Sequence, residues 1–369
     1  MDAGGAPPSR GGSPNNTLVP HPMHALKHFP EDFAVREIPL GGLSDTGDYA
    51  VFEMRKRNYT TQDALKRIAE EARKPLKDFG FAGNKDRKAV TAQHISVFRG
   101  SPSLQDLSLA DISLTFKGFS PRKIALGDLE GNSFTITIRN IDGAGIERIK
   151  KFEKENKKTP SHIPNYFGPQ RFSSANHLIG KALVTRDFRN AIGLVLQHDN
   201  EHSSRAGMSL KENPNNTISA LRLLPASTLR MYVHAYQSSL FNTLLHHLLA
   251  QNPAPLLPTI PLLPIIGFGT EIGELESHTQ EAANELLQQE GVSPRDFINR
   301  QMPELSSEGG MRAAFFTAPD FRITGIGEDE CFAGREKATV EFTLKKSCYA
   351  TVLLSYLLEG LPDAPDDLP

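Results

Sequence analysis

Cysteine is nearly missing from this chain: Cys331 and Cys348 are the only two among 369 residues. A disulfide framework therefore does not hold the fold together, and a reducing cytoplasm is the expected compartment. No Cys/His cluster has the spacing of a zinc site. His246 and His247 sit in an apolar helical run with no acid or Cys beside them, which suits packing or surface roles and not a metal. Long apolar runs are missing as well. None reaches the roughly 18 residues that a membrane span requires, so a membrane partner is not expected. Nucleotide-cradling signatures are also absent: neither G-x-x-x-x-G-K-[ST] nor a dinucleotide fingerprint occurs, and Gly267-Phe268-Gly269 is too short and too proline-flanked to be one. Strong charge of one sign is lacking too. The net charge of −2 with His neutral excludes a generally basic nucleic-acid binder but leaves room for a local basic groove.

What is present is an ordinary globular composition, 38% hydrophobic and 23% charged, with length enough for two domains. Residues 1–22 are rich in Gly, Pro, Ser and Asn. They lack the apolar stretch of a secretory signal and read as a disordered tail. GLPDAPDDLP reads as a polar tail at the other end. No internal repeat occurs at a fixed period.

Between the tails the pattern is dense. FAVREIPL predicts a strand with Phe33, Val35 and Glu37 at every second position. GDYAVFEMRKRN predicts a second strand. TTQDALKRIAEEARK predicts a helix capped by Thr60, with Asp63 three residues on and an apolar stripe of Leu65, Ile68 and Ala69. HISVFRG, SLTFKGF and SFTITIRNI predict further strands, and GIERIKKFEKENKK a charged helix. From about 174 to 318 the chain turns mainly helical, with HLIGKALVTRDFRNAIGLVLQ, STLRMYVHAYQSSLFNTLLHHLLAQ and TQEAANELLQQE. PAPLLPTIPLLPIIGFG interrupts it, because its prolines forbid a helix interior or a central strand. KATVEFTLKK then returns as a strand and ATVLLSYLLEG as an apolar helix. This order predicts an α+β sheet domain, 23–185 and 320–369, interrupted by a mostly helical insertion, 186–319.

One loop stands out. FAGNKDRKAVTAQ sets a single acid, Asp86, among Lys85, Arg87 and Lys88. A solvated turn would suit Gly83-Asn84. Alternatively, the acid stays ionised beside a polyanion: nearby cations lower a carboxylate's pKa and bind phosphates. Helix, loop and following strand would deliver Asp86 to the edge of a sheet, and loops on a rigid scaffold commonly carry chemistry.

Taken in order, these segments resemble the TruD family of tRNA pseudouridine synthases. PEDFAVREI is similar to the family's opening motif, AGNKDRKAVTAQ to its catalytic loop and NYFGPQRF to its NYFG-x-QRF signature. GDLEGNSFTITIRN, HLIGKAL, AYQSSLFN, LPIIGFGT and FTLKKSCYAT fall at the family's spacings, from about residue 27 to 354. The resemblance implies the pseudouridine synthase fold: a mixed, largely antiparallel sheet with flanking helices, interrupted by a TruD-type insertion domain. It implies an isomerase that converts uridine, position 13 of tRNA in this family, to pseudouridine without a cofactor or a metal. The expected partner is tRNA, and a monomer is favoured.

Carried over by match, Asp86 is the catalytic carboxylate and Phe167 the ring that stacks the flipped uracil. Asn165 suits the base edge or the backbone beside it. Phe33 and Tyr349 match positions that line the substrate site, and Lys27 matches an active-site lysine. Lys85 and Arg87 are candidates for the RNA backbone. Taken singly, Asp86 would be a turn carboxylate, the aromatics core, and Lys27, Lys85 and Arg87 solvated. Arg55, Lys56, Arg57, Lys123 and Arg171 are further phosphate candidates. Tyr236 and Phe241 read as helix core, with Gln237 and Asn242 as braces. Two positions depart from the family pattern: Ser173 follows QRF where Gly is usual, and Ser355-Tyr356 stand where an Arg-Glu pair is usual after Ala350-Thr351. A non-catalytic RNA-binding protein or RNA chaperone on the same fold is the rival reading, and it would not need the carboxylate.

Overall fold

The computed structural model describes residues 24–198, 200–251 and 261–360. The tail expected at 1–22, nearly all of the C-terminal tail and the start of the proline-rich interruption lie outside the described residues. In chain order, the first part holds β1 (Phe33–Pro39), β2 (Tyr49–Arg57), α1 (Thr61–Glu71), β3 (Phe79–Phe81), β4 (Val90–Phe98), β5 (Ile112–Ser120), β6 (Leu129–Ile141) and α2 (Gly143–Asn156). The middle holds β7 (Ile163–Pro164), α3 (Asn176–Val184), α4 (Phe188–Val195), α5 (Glu201–Glu212), α6 (Thr217–Leu221) and α7 (Ala226–Gln251). It continues with β8 (Leu262–Ile265), α8 (Ser277–Glu290), β9 (Gly310–Ala313) and β10 (Phe315–Phe316). The chain returns through β11 (Arg322–Glu328), β12 (Glu336–Lys345) and α9 (Ala350–Glu359).

The main sheet has eight strands in the order β11-β12-β6-β1-β4-β2-β5, with β3 added on β4. Only β1 and β4 run parallel; every other pair is antiparallel. The sheet is therefore mixed and largely antiparallel, as expected. The return is visible in the register: β12 pairs β6 from Glu336 opposite Ile141 to Lys345 opposite Gly131. β6 supplies the core by strict alternation, burying Phe134, Ile136 and Ile138 while Thr135 stays exposed. Its β-branched residues pack well on a pleated face.

The two halves of the sheet bury different clusters. Phe52, Met54, Ile95 and Val97 of β2 and β4 pack with Ala64, Leu65 and Ile68 of α1. On α1 these residues recur at helical spacing, and the Thr60 hydroxyl accepts from the Asp63 N–H, as expected. Phe33, Phe134, Ile136 and Phe342 belong instead to a larger cluster continuous with α3, α4, α7 and α8.

Some expectations needed correction. The helix expected through HLIGKALVTRDFRN is two, because Arg186 takes a left-handed φ of 63° and Asp187 caps α4 through the Asn190 N–H. β11 was not anticipated: RITGIGE is glycine-interrupted and mostly exposed, so it carries no alternation. α5 and α6 were missed as well, since α5 buries only Ser203 and Ala206. Of the prolines in the interruption that lie among the described residues, Pro264 sits in β8, half of a two-stranded sheet with β9 and outside the main sheet. No Arg-Glu pair braces the end of α9. There the Gly360 N–H bonds Tyr356 O at 3.0 Å, and His24 Nδ1 lies 3.2 Å from Glu359.

Candidate active site

Asp86 lies in the loop between β3 and β4. β4 is flanked by β1 and β2, so the loop stands at the start of a central strand and not beside an outer one. Three polar devices fix it. The Lys56 ammonium, 0% exposed, donates to Tyr59 O at 2.6 Å, Asp86 O at 2.9 Å and Lys85 O at 3.5 Å. The Thr61 hydroxyl accepts from the Lys85 N–H at 2.8 Å and donates to Gln93 Oε1 at 2.9 Å; Gln93 Nε2 donates on to Gly83 O at 3.0 Å. The Lys85 ammonium pairs with buried Glu37 at 2.9 Å, and Glu37 also accepts from the His94 N–H at 3.0 Å. A loop whose backbone groups are satisfied in this way holds one geometry.

The charges follow their surroundings. Burial pulls the Lys56 pKa down to about 8, with the charge on Asp86 opposing and that on Lys85 adding. Burial works against ionised Glu37, but hydrogen bonds from His94 and the Lys85 charge outweigh it, leaving its pKa below the ordinary value.

The cation that touches Asp86 comes from elsewhere in the chain. Lys27 Nζ meets Asp86 Oδ2 at 2.6 Å, the two side chains being 23% and 31% exposed. Lys27 adopts a left-handed φ of 59°, and its amine lies 4.3 Å from the centre of the Phe33 ring. Its approach is set by a bridge two residues earlier, where Ala25 exchanges backbone bonds with Arg139 at 2.8 and 3.0 Å. Lys85 faces Glu37, not Asp86. Arg87 is exposed and makes no ion pair among the described residues.

A second constellation surrounds Phe167. Both edges of its peptide are held by buried Asn242, which accepts from the Phe167 N–H at 2.8 Å and donates to Phe167 O at 3.0 Å. The ring meets Phe241 edge-on at 5.4 Å and Tyr349 at 6.3 Å. The Arg312 guanidinium lies 4.0 Å from the ring centre, and that of Arg171 5.5 Å. Asn165 is 2% exposed and largely committed to backbone. Its Nδ2 donates to Ala313 O at 2.9 Å, its N–H to Ala314 O at 2.8 Å, and its Oδ1 accepts from Arg312 at 2.8 Å.

The structure thus joins Lys27, Phe33 and Asp86 in one group, and Asn165, Phe167 and Tyr349 in another. Phe33 and Phe167 lie in one continuous core cluster, with Tyr349 packed on it. Other candidates are engaged elsewhere. Lys56 is sealed beneath the Asp86 loop, Arg57 pairs with Glu31 at 2.6 Å, and Lys123 donates to Lys77 O at 2.6 Å. Tyr236 and Phe241 are core, and Gln237 braces Ile266 O at 2.9 Å. Sequence reading missed Arg312. GMRAAFF carries no local signal for it, since its importance comes from contacts with Asn165 and Phe167 nearly 150 residues away. Among the described residues, no group of three His, Cys, Asp or Glu could hold a metal, and no helix is long and apolar enough to cross a membrane.

A mixed, largely antiparallel sheet with helices on its flanks is the fold of the pseudouridine synthases. The family model for tRNA pseudouridine synthase D (TruD) matches residues 22–209, 201–256 and 257–356. Curated relatives named "Probable tRNA pseudouridine synthase D" include that of Methanopyrus kandleri, 33% identical over 359 residues, spanning 85% of this chain and 86% of that protein. The Methanosarcina acetivorans protein of the same name is 30% identical over 411 residues, spanning 89% and 91%. A crystal structure named "Putative tRNA pseudouridine synthase D (TruD)", from Methanosarcina mazei, matches with a TM-score of 0.71 at 28% identity, covering 93% of this chain and 94% of that one. The chain belongs to the TruD family of tRNA pseudouridine synthases.

Proposed function

We propose that this chain isomerises the uridine at position 13 of tRNA to pseudouridine, with Asp86 as the catalytic carboxylate and no cofactor. The observation that carries the reading is an acid paired with Lys27 at 2.6 Å on a loop pinned by a buried lysine. The uridine leaves its stack so that the carboxylate can reach it. The ionised Asp86 oxygen serves as nucleophile or stabilises positive charge as the N-glycosidic bond breaks. The base turns, C5 is rejoined to the ribose C1′, and the C5–H bond breaks with its proton lost while the freed N1 takes one up. Lys27 aims the carboxylate through its 2.6 Å contact. Phe33, Phe167 and Tyr349 supply apolar walls to the nucleoside, with Phe167 as the stacking face. Asn165 holds the backbone that carries Phe167, and Arg87 meets the RNA backbone. Residues 186–319 form the insertion that completes the tRNA surface, and the enzyme works as a cytoplasmic monomer. The non-catalytic alternative has no use for a carboxylate so closely held.

The test is conversion of a transcript tRNA, read by mapping pseudouridine at single-nucleotide resolution. Wild type is expected to modify position 13, and Asp86→Ala to lose at least about a thousandfold in rate while still binding tRNA. Product formed by Asp86→Ala at the wild-type rate would remove the assigned role. Equal RNA binding with no product from either protein would favour the binder.

A further inference from the structure

Arg312 is 8% exposed, yet no carboxylate pairs with it among the described residues. Its Nε and Nη2 donate to Asn165 O at 3.2 and 3.1 Å, and Nη2 also to Asn165 Oδ1 at 2.8 Å. Its Nη1 makes no hydrogen bond to the protein among the described residues. Arg171 stands beside the same ring. Its Nε is buried without a hydrogen-bond partner, and it too has no acidic partner among the described residues. The two guanidinium carbons lie 4.0 and 5.5 Å from the centre of the Phe167 ring. Burying a charge without its counterion is costly, and a second like charge beside it adds repulsion. Burial lowers the Arg312 pKa; Tyr349 and Cys348 oppose that shift, and Arg171 adds a smaller push in the same direction as burial. The positive character extends outward to Arg230 of α7; burial and then the charges of Arg171 and Arg230 lower the His234 pKa and favour its neutral form. Elsewhere this chain matches its buried arginine with acids, as when Arg139 binds both oxygens of Asp32 at 2.9 Å. Leaving Arg171 and Arg312 unmatched around one ring is the arrangement expected where the anion arrives with the ligand.

We propose that Arg312 and Arg171 form a phosphate-binding site for one phosphodiester of the substrate RNA, adjacent to the nucleotide that stacks on Phe167. The site rests on the proposed function, since it takes the ligand to be RNA. Guanidinium donors suit phosphate because they offer paired N–H groups at fixed geometry. The anion neutralises both cations at once, so binding the backbone and ordering the ring become one event.

The experiment measures binding of a fluorescently labelled tRNA transcript across a salt series to wild type, Arg171→Gln, Arg312→Gln and Arg312→Lys. Folding of each variant is checked by thermal unfolding. Both Gln variants are expected to weaken binding and to reduce the slope of log affinity against log salt by about one; Arg312→Lys retains most of the slope because it retains the charge. Single methylphosphonate replacements, made in a short stem-loop spanning the target uridine, should then identify one phosphate. Neutralising it weakens wild type about tenfold or more and leaves Arg171→Gln almost unchanged. An unchanged salt slope in folded variants, or methylphosphonate losses that simply add to the Arg171→Gln loss at every position, would overturn the site and leave Arg312 as a brace for Asn165. Failure of the catalytic reading looks different: no pseudouridine from wild type, whatever the salt slopes.

Discussion

At the scale of single residues, the Asp86 loop is braced by a cation that sequence reading misplaced. Lys56 appears in the run Arg55-Lys56-Arg57, where a solvent-facing phosphate contact is the natural expectation. Strand alternation turns it inward, and its amine ties three carbonyls around Asp86. Lys56→Met should leave those carbonyls unsatisfied. The expected cost is about 1–3 kcal/mol in stability, together with at least a tenfold loss of activity as the carboxylate loses its fixed position. The sign of the pH effect follows from the lowered pKa. Below about 8 the folded chain bears the full cost of a buried charge. As pH rises from there toward the ordinary lysine value of 10.5, the folded state releases the proton and the unfolded state keeps it, so wild type gains stability. The variant lacks that gain. The stability of wild type minus that of Lys56→Met, from denaturant unfolding, should therefore grow as pH is raised from neutral to alkaline; a difference that stays flat would mean that burial does not lower the Lys56 pKa in the folded chain.

At the scale of elements, the Phe167 group is positioned by helix packing. Asn242 of α7 clamps the Phe167 peptide, and α7 lies against α3. The close approach of these helices depends on Gly180, where a Cβ would collide with the backbone carbonyl of Tyr232. That carbonyl belongs to a regular helix and cannot move aside cheaply. Gly180→Ala is expected to destabilise by about 1–3 kcal/mol from overpacking, despite alanine's better helix propensity. It should also lower activity by shifting Asn242 relative to Phe167. Thermal unfolding and the tRNA assay read the two effects separately, and a rise in Tm would show that the contact relaxes.

At the scale of the whole molecule, Arg139 on β6 gathers distant parts of the chain. It binds Asp32 just before β1 and Asp329 between β11 and β12, the latter at 3.2 Å. Burial works against the Asp329 charge, but N–H groups of Asn140 and Cys331 and the Arg139 guanidinium outweigh it, so its pKa lies below the ordinary 3.8. Its contribution is present above that value and is lost as pH falls through the lower folded value. Asp329→Ala should cost about 3 kcal/mol at neutral pH, and the gap to wild type should narrow in acid, as measured by denaturant unfolding. The chain's local patterns determined much of this protein. Period-two alternation gave away β1 and β6, the 3.6-residue stripe and its Thr60 cap gave away α1, and ordered motifs singled out Asp86 and Phe167. Only the tertiary structure decided which cation meets Asp86, that Lys85 turns to Glu37, and that Arg312 lies over Phe167. Those pairings join residues far apart in the chain, and sequence periodicity reports which face a side chain takes, not which partner the fold brings to it.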